Sequence, residues 1–398
     1  MIKKITLNKI YLLIVFTCLF IFEYYGMMGM NMEDDVRVYT VIPNFLLCTA
    51  FMVYAFLHGN DLLKLPSVIK RFVLMYFGLF FLSIILNFSL PYKELISFAS
   101  ATWIMPLGFI YSYIIFKEYD LDKLVFKLSF VLFSLLIINY FNIFLFLNTD
   151  SNYQSLITAY YPMFLLPFIL SSTKNKLFKF LILGLSLFTI FTCMKRGGLI
   201  ALILATAVYY LVDYLLVGRS KYKIVSVFVI VGVVLVVIFS FLKYDDMTGN
   251  QFTTRLESIE DDEGSGRIDV WLETIRLINN SDTAGILFGH GHLAVIRDSV
   301  LSLSAHNDFM EIFYNYGIFV FLLYCVFHIS LIKLCFKLIK QKSSLAAPMA
   351  MSYVIFFTLT LISHIYFYPY FAFLLLFWGK ALGTLEREKS LNTTNAIK

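Results

Sequence analysis

Apolar residues in this chain arrive in blocks of about 20, the length a helix needs to cross a hydrocarbon layer of about 30 Å. Within such a block a helix satisfies its own backbone hydrogen bonds, which lipid cannot do for it. A membrane β-barrel would need short alternating segments, and these blocks do not alternate. Composition agrees: 60% of the residues are hydrophobic and 15% charged, against about a quarter charged in a soluble domain. An all-α polytopic membrane protein is therefore expected. Twelve spans are read at 10–30, 39–57, 72–90, 95–116, 125–147, 154–171, 177–194, 198–217, 223–242, 309–332, 346–363 and 366–384. The first follows Lys3, Lys4 and Lys9 and lacks a small-x-small cleavage site, so it reads as a retained helix rather than a signal peptide.

The basic residues orient the bundle. One set of alternate connections carries 23 of the 32 lysines and arginines, among them Lys64, Lys70, Arg71, Lys117, Lys174, Arg219, Lys333 and Arg387. The other set carries the remaining nine: Arg37, Lys93, Lys195, Arg196, Lys243, Arg255, Arg267, Arg276 and Arg297. The positive-inside rule then puts both termini in the cytoplasm. The net charge of +6 is topogenic on this reading, and no nucleic-acid partner is implied. Five cysteines lie in or beside apolar blocks without paired spacing, which suits helix packing and neither a disulfide framework nor a zinc site.

One connection is long. Residues 243–308 form a polar stretch on the outer side and hold 12 of the 26 acidic residues and three of the six histidines. A single long loop on a compact domain is usually functional. The chain thus divides into an N-terminal bundle (1–242, about nine spans), this loop (243–308) and a C-terminal bundle with a tail (309–398, about three spans). Inside the loop, after Gly264-Ser265-Gly266, residues 267–279 read as an amphipathic helix. Ile268, Trp271, Leu272, Ile275 and Ile278 share one face, opposite Asp269, Glu273 and Arg276. Such a helix would rest on the outer membrane surface or on the tops of the spans.

Several residues carry chemical potential. Lys195-Arg196-Gly197-Gly198 places two cations on the outer side at a helix N-terminus, where the macrodipole repels them. A bound anion would resolve the conflict, since exposed N–H groups and close-approach glycines make a phosphate site. The plainer account is a snorkelling pair with a glycine step for packing. Arg267 repeats the logic at the start of the amphipathic helix, or else pairs with the acidic run 260–263. His306 closes the loop at the mouth of the bundle and can accept a proton near neutrality. Asp308 and Glu311 have the form of a capping box opening the next span. Gly289-His290-Gly291-His292 suits a glycine turn better than a metal site, for lack of further ligands. His364, Tyr366, Tyr368 and Tyr370 suit an interfacial anchor or a sugar-lined cavity.

Four of these pieces recur in order: Lys195-Arg196-Gly197-Gly198; Ser265-Gly266-Arg267 with Trp271; Gly289-His290-Gly291; and His306-Asn307 followed by Gly317. Together they resemble the superfamily of O-antigen polymerases and O-antigen ligases, over about 190–325, with Lys195 standing where the family has a serine-like residue. The resemblance implies a helical bundle with the long loop over a periplasmic cavity in the bacterial inner (cytoplasmic) membrane. It implies a glycosyltransferase of surface-polysaccharide biosynthesis, including lipopolysaccharide. Its donor would be undecaprenyl-pyrophosphate-linked glycan, its acceptor a sugar hydroxyl, and it would use no metal and no cofactor. Arg196 and Arg267 would bind pyrophosphate and His306 would activate or orient the acceptor; Lys195, and Arg255 on charge and location, join the cations.

Polymerase is the preferred expectation, with a chain-length regulator as a possible partner. Polymerases are the more numerous and divergent branch, and this chain's bias to Lys, Asn, Ile and Phe is common in such gene clusters. Ligase, with lipid A-core or another acceptor, is the alternative. A flippase ranks below both, because it would place charges inside the spans.

Overall fold

The computed structural model describes residues 2–29, 37–62, 64–86, 92–142, 160–192, 196–217, 243, 246, 267–363, 365–366 and 371–397. All regular structure among them is helical. In chain order the helices are α1 (Ile2–Gly29), α2 (Arg37–Leu57), α3 (Ser67–Leu86), α4 (Tyr92–Glu118), α5 (Asp122–Asn142), α6 (Tyr160–Ser172) and α7 (Lys176–Thr192). Next comes α8 (Arg196–Tyr210), which runs on into a π-helical turn, Leu211–Val217. Then follow α9 (Arg267–Asn279), α10 (Thr283–Phe288), α11 (Ala294–Asp298), α12 (Asp308–Lys340), α13 (Ala346–Ile362) and α14 (Ala372–Ile397).

Eleven of the expected spans fall on these helices, with edges shifted by a few residues; the twelfth, 223–242, lies outside the described residues. Among the described residues, 67–86, 122–142, 197–214 and 308–340 are long and apolar enough to cross a membrane. Shorter apolar stretches lie at 8–21, 42–57, 160–172 and 346–362. A multi-pass membrane protein follows.

Helix packing uses small residues where two backbones must approach, as is usual when lipid removes the hydrophobic drive between helices. α14 lies along α4. A Cβ at Gly379 would meet Ser112 and the Phe109 carbonyl, and one at Gly383 would meet the Tyr113 carbonyl. Ser112 uses the closeness to donate to the Leu376 carbonyl. α13 packs on α6, α8 and α12, and α12 on α3. Trp378 fills the centre among Phe327, Phe356 and Phe371, and its indole N–H donates to Ser352 Oγ at 2.9 Å. That bond meets the general need of a buried indole for a partner. At one end of the bundle, ion pairs join Lys117 to Asp61 (3.5 Å), Lys380 to Asp122 (3.1 Å) and Arg387 to Asp120 (3.8 Å).

The other end carries the cap. α9, α10 and α11 all pack on α12. α12 is broken at Gly317, whose φ of 74° and ψ of −179° are open in practice only to glycine. Gly289, with φ of 80° and ψ of −174°, ends α10 directly opposite. A Cβ on Gly289 would strike the Asn315 carbonyl and the Tyr316 N; one on Gly317 would strike the Leu287 carbonyl and the Phe288 N. Two backbones therefore cross in contact here. The crossing is stitched by His290 N–H to the Tyr314 carbonyl (3.1 Å) and Gly291 N–H to the Asn315 carbonyl (2.8 Å).

Gly317→Ala and Gly289→Ala should each lower stability by well over about 1 kcal/mol, because the new side chain meets backbone at a positive φ. Gly184→Ala in α7, where a Cβ meets nothing within 4 Å, should be neutral or stabilising by up to about 1 kcal/mol. Thermal unfolding of the three variants in detergent would check the contrast.

Candidate functional site

The site is built around the start of α12. Asn307 is extended (φ −151°) and caps the helix: its Oδ1 accepts from Phe309 N–H at 3.0 Å and Met310 N–H at 3.2 Å. The capping box expected from Asp308 and Glu311 is thus corrected. Asn and Asp cap equally well, and the cap fell one residue earlier. Asp308, fully buried, faces another way. Its Oδ1 accepts from Ile365 N–H at 2.8 Å and its Oδ2 from the Tyr324 hydroxyl at 3.1 Å. Glu311, 1% exposed, turns back to accept from the backbone of Ala305 and His306 and from the Ser304 side chain. A carboxylate at a helix N-terminus is favoured by the dipole, and these donors offset part of the cost of its burial.

His306 sits between these two anchors, half-buried, with φ of 49°. A histidine in the left-handed region is uncommon and persists only where its surroundings over-determine it. On one side of it, the Ala305 carbonyl accepts from the Trp271 indole N–H at 2.9 Å. On the other, Asn307 Nδ2 donates to the Leu361 carbonyl near the end of α13, at 3.3 Å.

Trp271 brings in α9. The helix expected at 267–279 is present, but its buried face is Val270, Thr274 and Leu277. Ile268, Leu272 and Ile275 of the expected stripe are exposed. The indole bond to Ala305 sets the helix's rotation. Thr274 can turn inward because its hydroxyl donates to the Val270 carbonyl one turn back. Arg267 lies one turn before Trp271 on this helix, half-buried. Glu273 takes a two-point hydrogen bond from Arg276 (2.7 Å each) and another from Val300 N–H (3.1 Å), and these hold its carboxyl down at about 2.

The Arg196 step arrives at the same place. A Cβ at Gly197 would strike Ile362, and one at Gly198 would strike the Tyr160 ring. The glycine pair therefore lets α8 start hard against the end of α13, next to the residue that receives Asn307. Three motifs far apart in sequence thus meet. Arg196 is held through Gly197 on Ile362, His306 through Asn307 on Leu361, and Arg267 shares a helix with Trp271, which holds Ala305. Of Arg196 only the backbone is described. Lys195, Arg255, His364, Tyr368 and Tyr370 lie outside the described residues.

The remaining histidines of the loop serve the cap. His290 stacks on Tyr314 with ring centroids 4.4 Å apart, and its Nε2 is 2.9 Å from Ser281 Oγ. His292 Nδ1 is 2.8 Å from the Tyr316 hydroxyl. The two rings thus have separate partners, and no metal-binding group of three His, Cys, Asp or Glu exists among the described residues. Tyr366 lies under the site, buried, and takes a 3.5 Å contact from Asn315 Nδ2. Sequence reasoning missed Glu311 as a tether of the His306 segment; its spacing suits a helical first turn, and nothing local shows which way the carboxylate turns.

Residues 181–325 match the family model described as O-antigen ligase, a stretch that holds Arg196, Arg267, Trp271, Gly289, His306 and Gly317. The match supports the O-antigen polymerase and ligase superfamily. No curated protein matches the chain.

Burial holds the His292 imidazole down at about 3, against an ordinary 6.5. Between those values the unfolded chain binds a proton that the folded cap refuses, so stability falls as pH falls through this window and is independent of His292 above it. Glu273 acts in the same direction: its contribution is present above its ordinary 4.5 and lost as pH falls toward about 2. Amide protection factors over residues 270–300, taken relative to the intrinsic exchange rate at each pH, should therefore be high at neutral pH and fall on acidification, beginning near pH 6.5. His292→Gln should remove the part of that change above about pH 5.

Proposed function

We propose that this chain is a surface-polysaccharide (O-antigen) polymerase. It joins undecaprenyl-pyrophosphate-linked repeat units at the periplasmic face of the bacterial inner membrane and releases undecaprenyl pyrophosphate. The observation that carries the reading is the meeting of the Arg196 and His306 steps on consecutive residues of α13, Leu361 and Ile362, with the Arg267 helix fastened to the adjoining Ala305.

The chemistry follows from that meeting. An acceptor sugar hydroxyl attacks the anomeric carbon of the donor glycan. The new C–O bond forms as the bond to the pyrophosphate breaks, and the hydroxyl proton passes to His306. Negative charge grows on the departing pyrophosphate, so cations fixed in advance lower the barrier most. Arg196 at the head of α8 and Arg267 at the head of α9 fill that role. Both stand where helix N–H groups add to the attraction for an anion. Lys195 and Arg255 are the further cations of the same face. The cap of 267–307 covers the reacting groups, both termini lie in the cytoplasm, and a chain-length regulator is a fitting partner. The whole chain follows the division proposed above: nine spans, the loop, three spans.

Ligase is the second reading. It is favoured by the description of the matched family over 181–325. The two differ in the acceptor, a lipid-linked glycan against lipid A-core, and share the donor half of the site.

Arg196→Ala and Arg267→Ala should each slow chain extension by about 100- to 1,000-fold. His306→Ala should slow it by about 100- to 10,000-fold. Each should leave membrane levels intact; normal long-chain glycan from all three would sink the site. Deleting the gene separates the two readings on a gel of cell-surface glycan. Single repeats on lipid A-core identify a lost polymerase, whereas bare core with accumulating lipid-linked polymer identifies a lost ligase.

A further inference from the structure

We propose that Glu311 is a positioning residue for the reaction: its buried carboxylate gathers the Ser304–Ala305–His306 segment and holds His306 in the left-handed conformation from which it meets the acceptor. This rests on the reading of His306 as the acceptor-activating group.

Helix capping does not account for Glu311. Asn307 already occupies two of the free N–H groups of the first turn of α12, those of Phe309 and Met310. The carboxylate nonetheless lies buried in the first turn, and burying a charge is costly unless it is fully partnered. Its partners are all in one place: the backbone of Ala305, the backbone of His306 and the Ser304 side chain. Successive N–H groups converging on one anion form a concave nest, built from neighbouring right- and left-handed residues or from a turn. The left-handed residue here is His306.

The peptide units around His306 are consequently held from both directions. Glu311 takes Ala305 and His306 by their N–H groups, while Trp271 takes Ala305 by its carbonyl at 2.9 Å. Asn307 is tied to Leu361 at 3.3 Å. Without the carboxylate, the left-handed histidine loses the tether on its own N–H, and the remaining ties of Ala305 and Asn307 do not hold it against its strain. That swings the imidazole off the acceptor while the cations on α8 and α9 stay where they are. The carboxylate thus governs turnover and leaves donor capture alone.

The test uses the full chain in lipid nanodiscs with a purified lipid-pyrophosphate-linked repeat unit. The parent is compared with Glu311→Gln, Glu311→Asp, Ser304→Ala and His306→Ala. Glu311→Gln keeps the shape and replaces an acceptor by a donor facing N–H groups; kcat should fall by about 100-fold, the effect of a displacement near 1 Å, at unchanged KM for the donor. Glu311→Asp should recover part of that kcat, because a carboxylate is again present. Ser304→Ala removes one donor of three, and kcat should fall by about fivefold, the equivalent of one hydrogen bond. A Glu311→Gln kcat within about twofold of the parent, or a loss seen only in KM, overturns the inference. If Glu311→Gln does not accumulate in the membrane, Ser304→Ala decides, and an unchanged kcat there overturns it. A fully active His306→Ala would instead sink the reading of His306 itself, a result distinct from an inert Glu311 beside an essential His306.

Discussion

The crossing of two backbones at Gly289 and Gly317 is the contact on which this end of the molecule depends. Neither position tolerates a Cβ, because each would drive it into the other's chain. Each has a positive φ that L side chains rarely adopt. The break in α12 at Gly317 lets the helix begin at an angle to its own continuation, and α10 ends in the space so made. Two hydrogen bonds from His290 and Gly291 then turn the contact into a short ladder. With that ladder in place, Arg297 reaches the His290 carbonyl at 3.1 Å and Asp298 at 2.7 Å, and Asp298 takes the Tyr314 hydroxyl at 3.0 Å. The cap is thus a set of short helices riveted to one long one.

Below the crossing, buried polar groups do what lipid-facing helices cannot. Apolar contact between spans is nearly degenerate in lipid, where tails are as greasy as leucine. Asp308, Asn307 and Glu311 replace degeneracy with specific partners: a turn after α13, the end of α13, and the segment before α12. Tyr76 of α3 joins the same turn by donating to the Tyr366 carbonyl. The result is a rigid polar floor at one end of an otherwise apolar bundle. The site proposed here, with cations facing a leaving group and a base facing an acceptor, would benefit from that rigidity, because fixed charges need no reorganisation as the transition state forms.

Much of this was legible from local pattern. Eleven of the expected spans correspond to helices, since a block of about 20 apolar residues has few other outcomes. The helix at 267–279 and the glycine turn at 289–291 could also be read in advance. Three things were misjudged or missed, each for a physical reason. The cap of α12 went to Asn307, which Asp308 rivals equally on propensity. The rotation of α9 was not legible: Trp271 and Ile278 of its apolar stripe pack inward while Ile268, Leu272 and Ile275 stay exposed, and one indole bond joins the helix to a residue 34 positions away. Glu311 looked like a cap and proved to be a tether, because the direction of a carboxylate depends on donors that the fold supplies.

The line between the two levels is drawn by range. Composition and block length act within one helix and its flanks, and they suffice for a membrane-embedded helical bundle. No local rule brings residues 197, 271, 306 and 362 together. That meeting requires α8 to start on the end of α13, α9 to be turned by Trp271, and α12 to be broken at Gly317. Each of these rests on a close approach between segments distant in the chain, and so belongs to the tertiary structure.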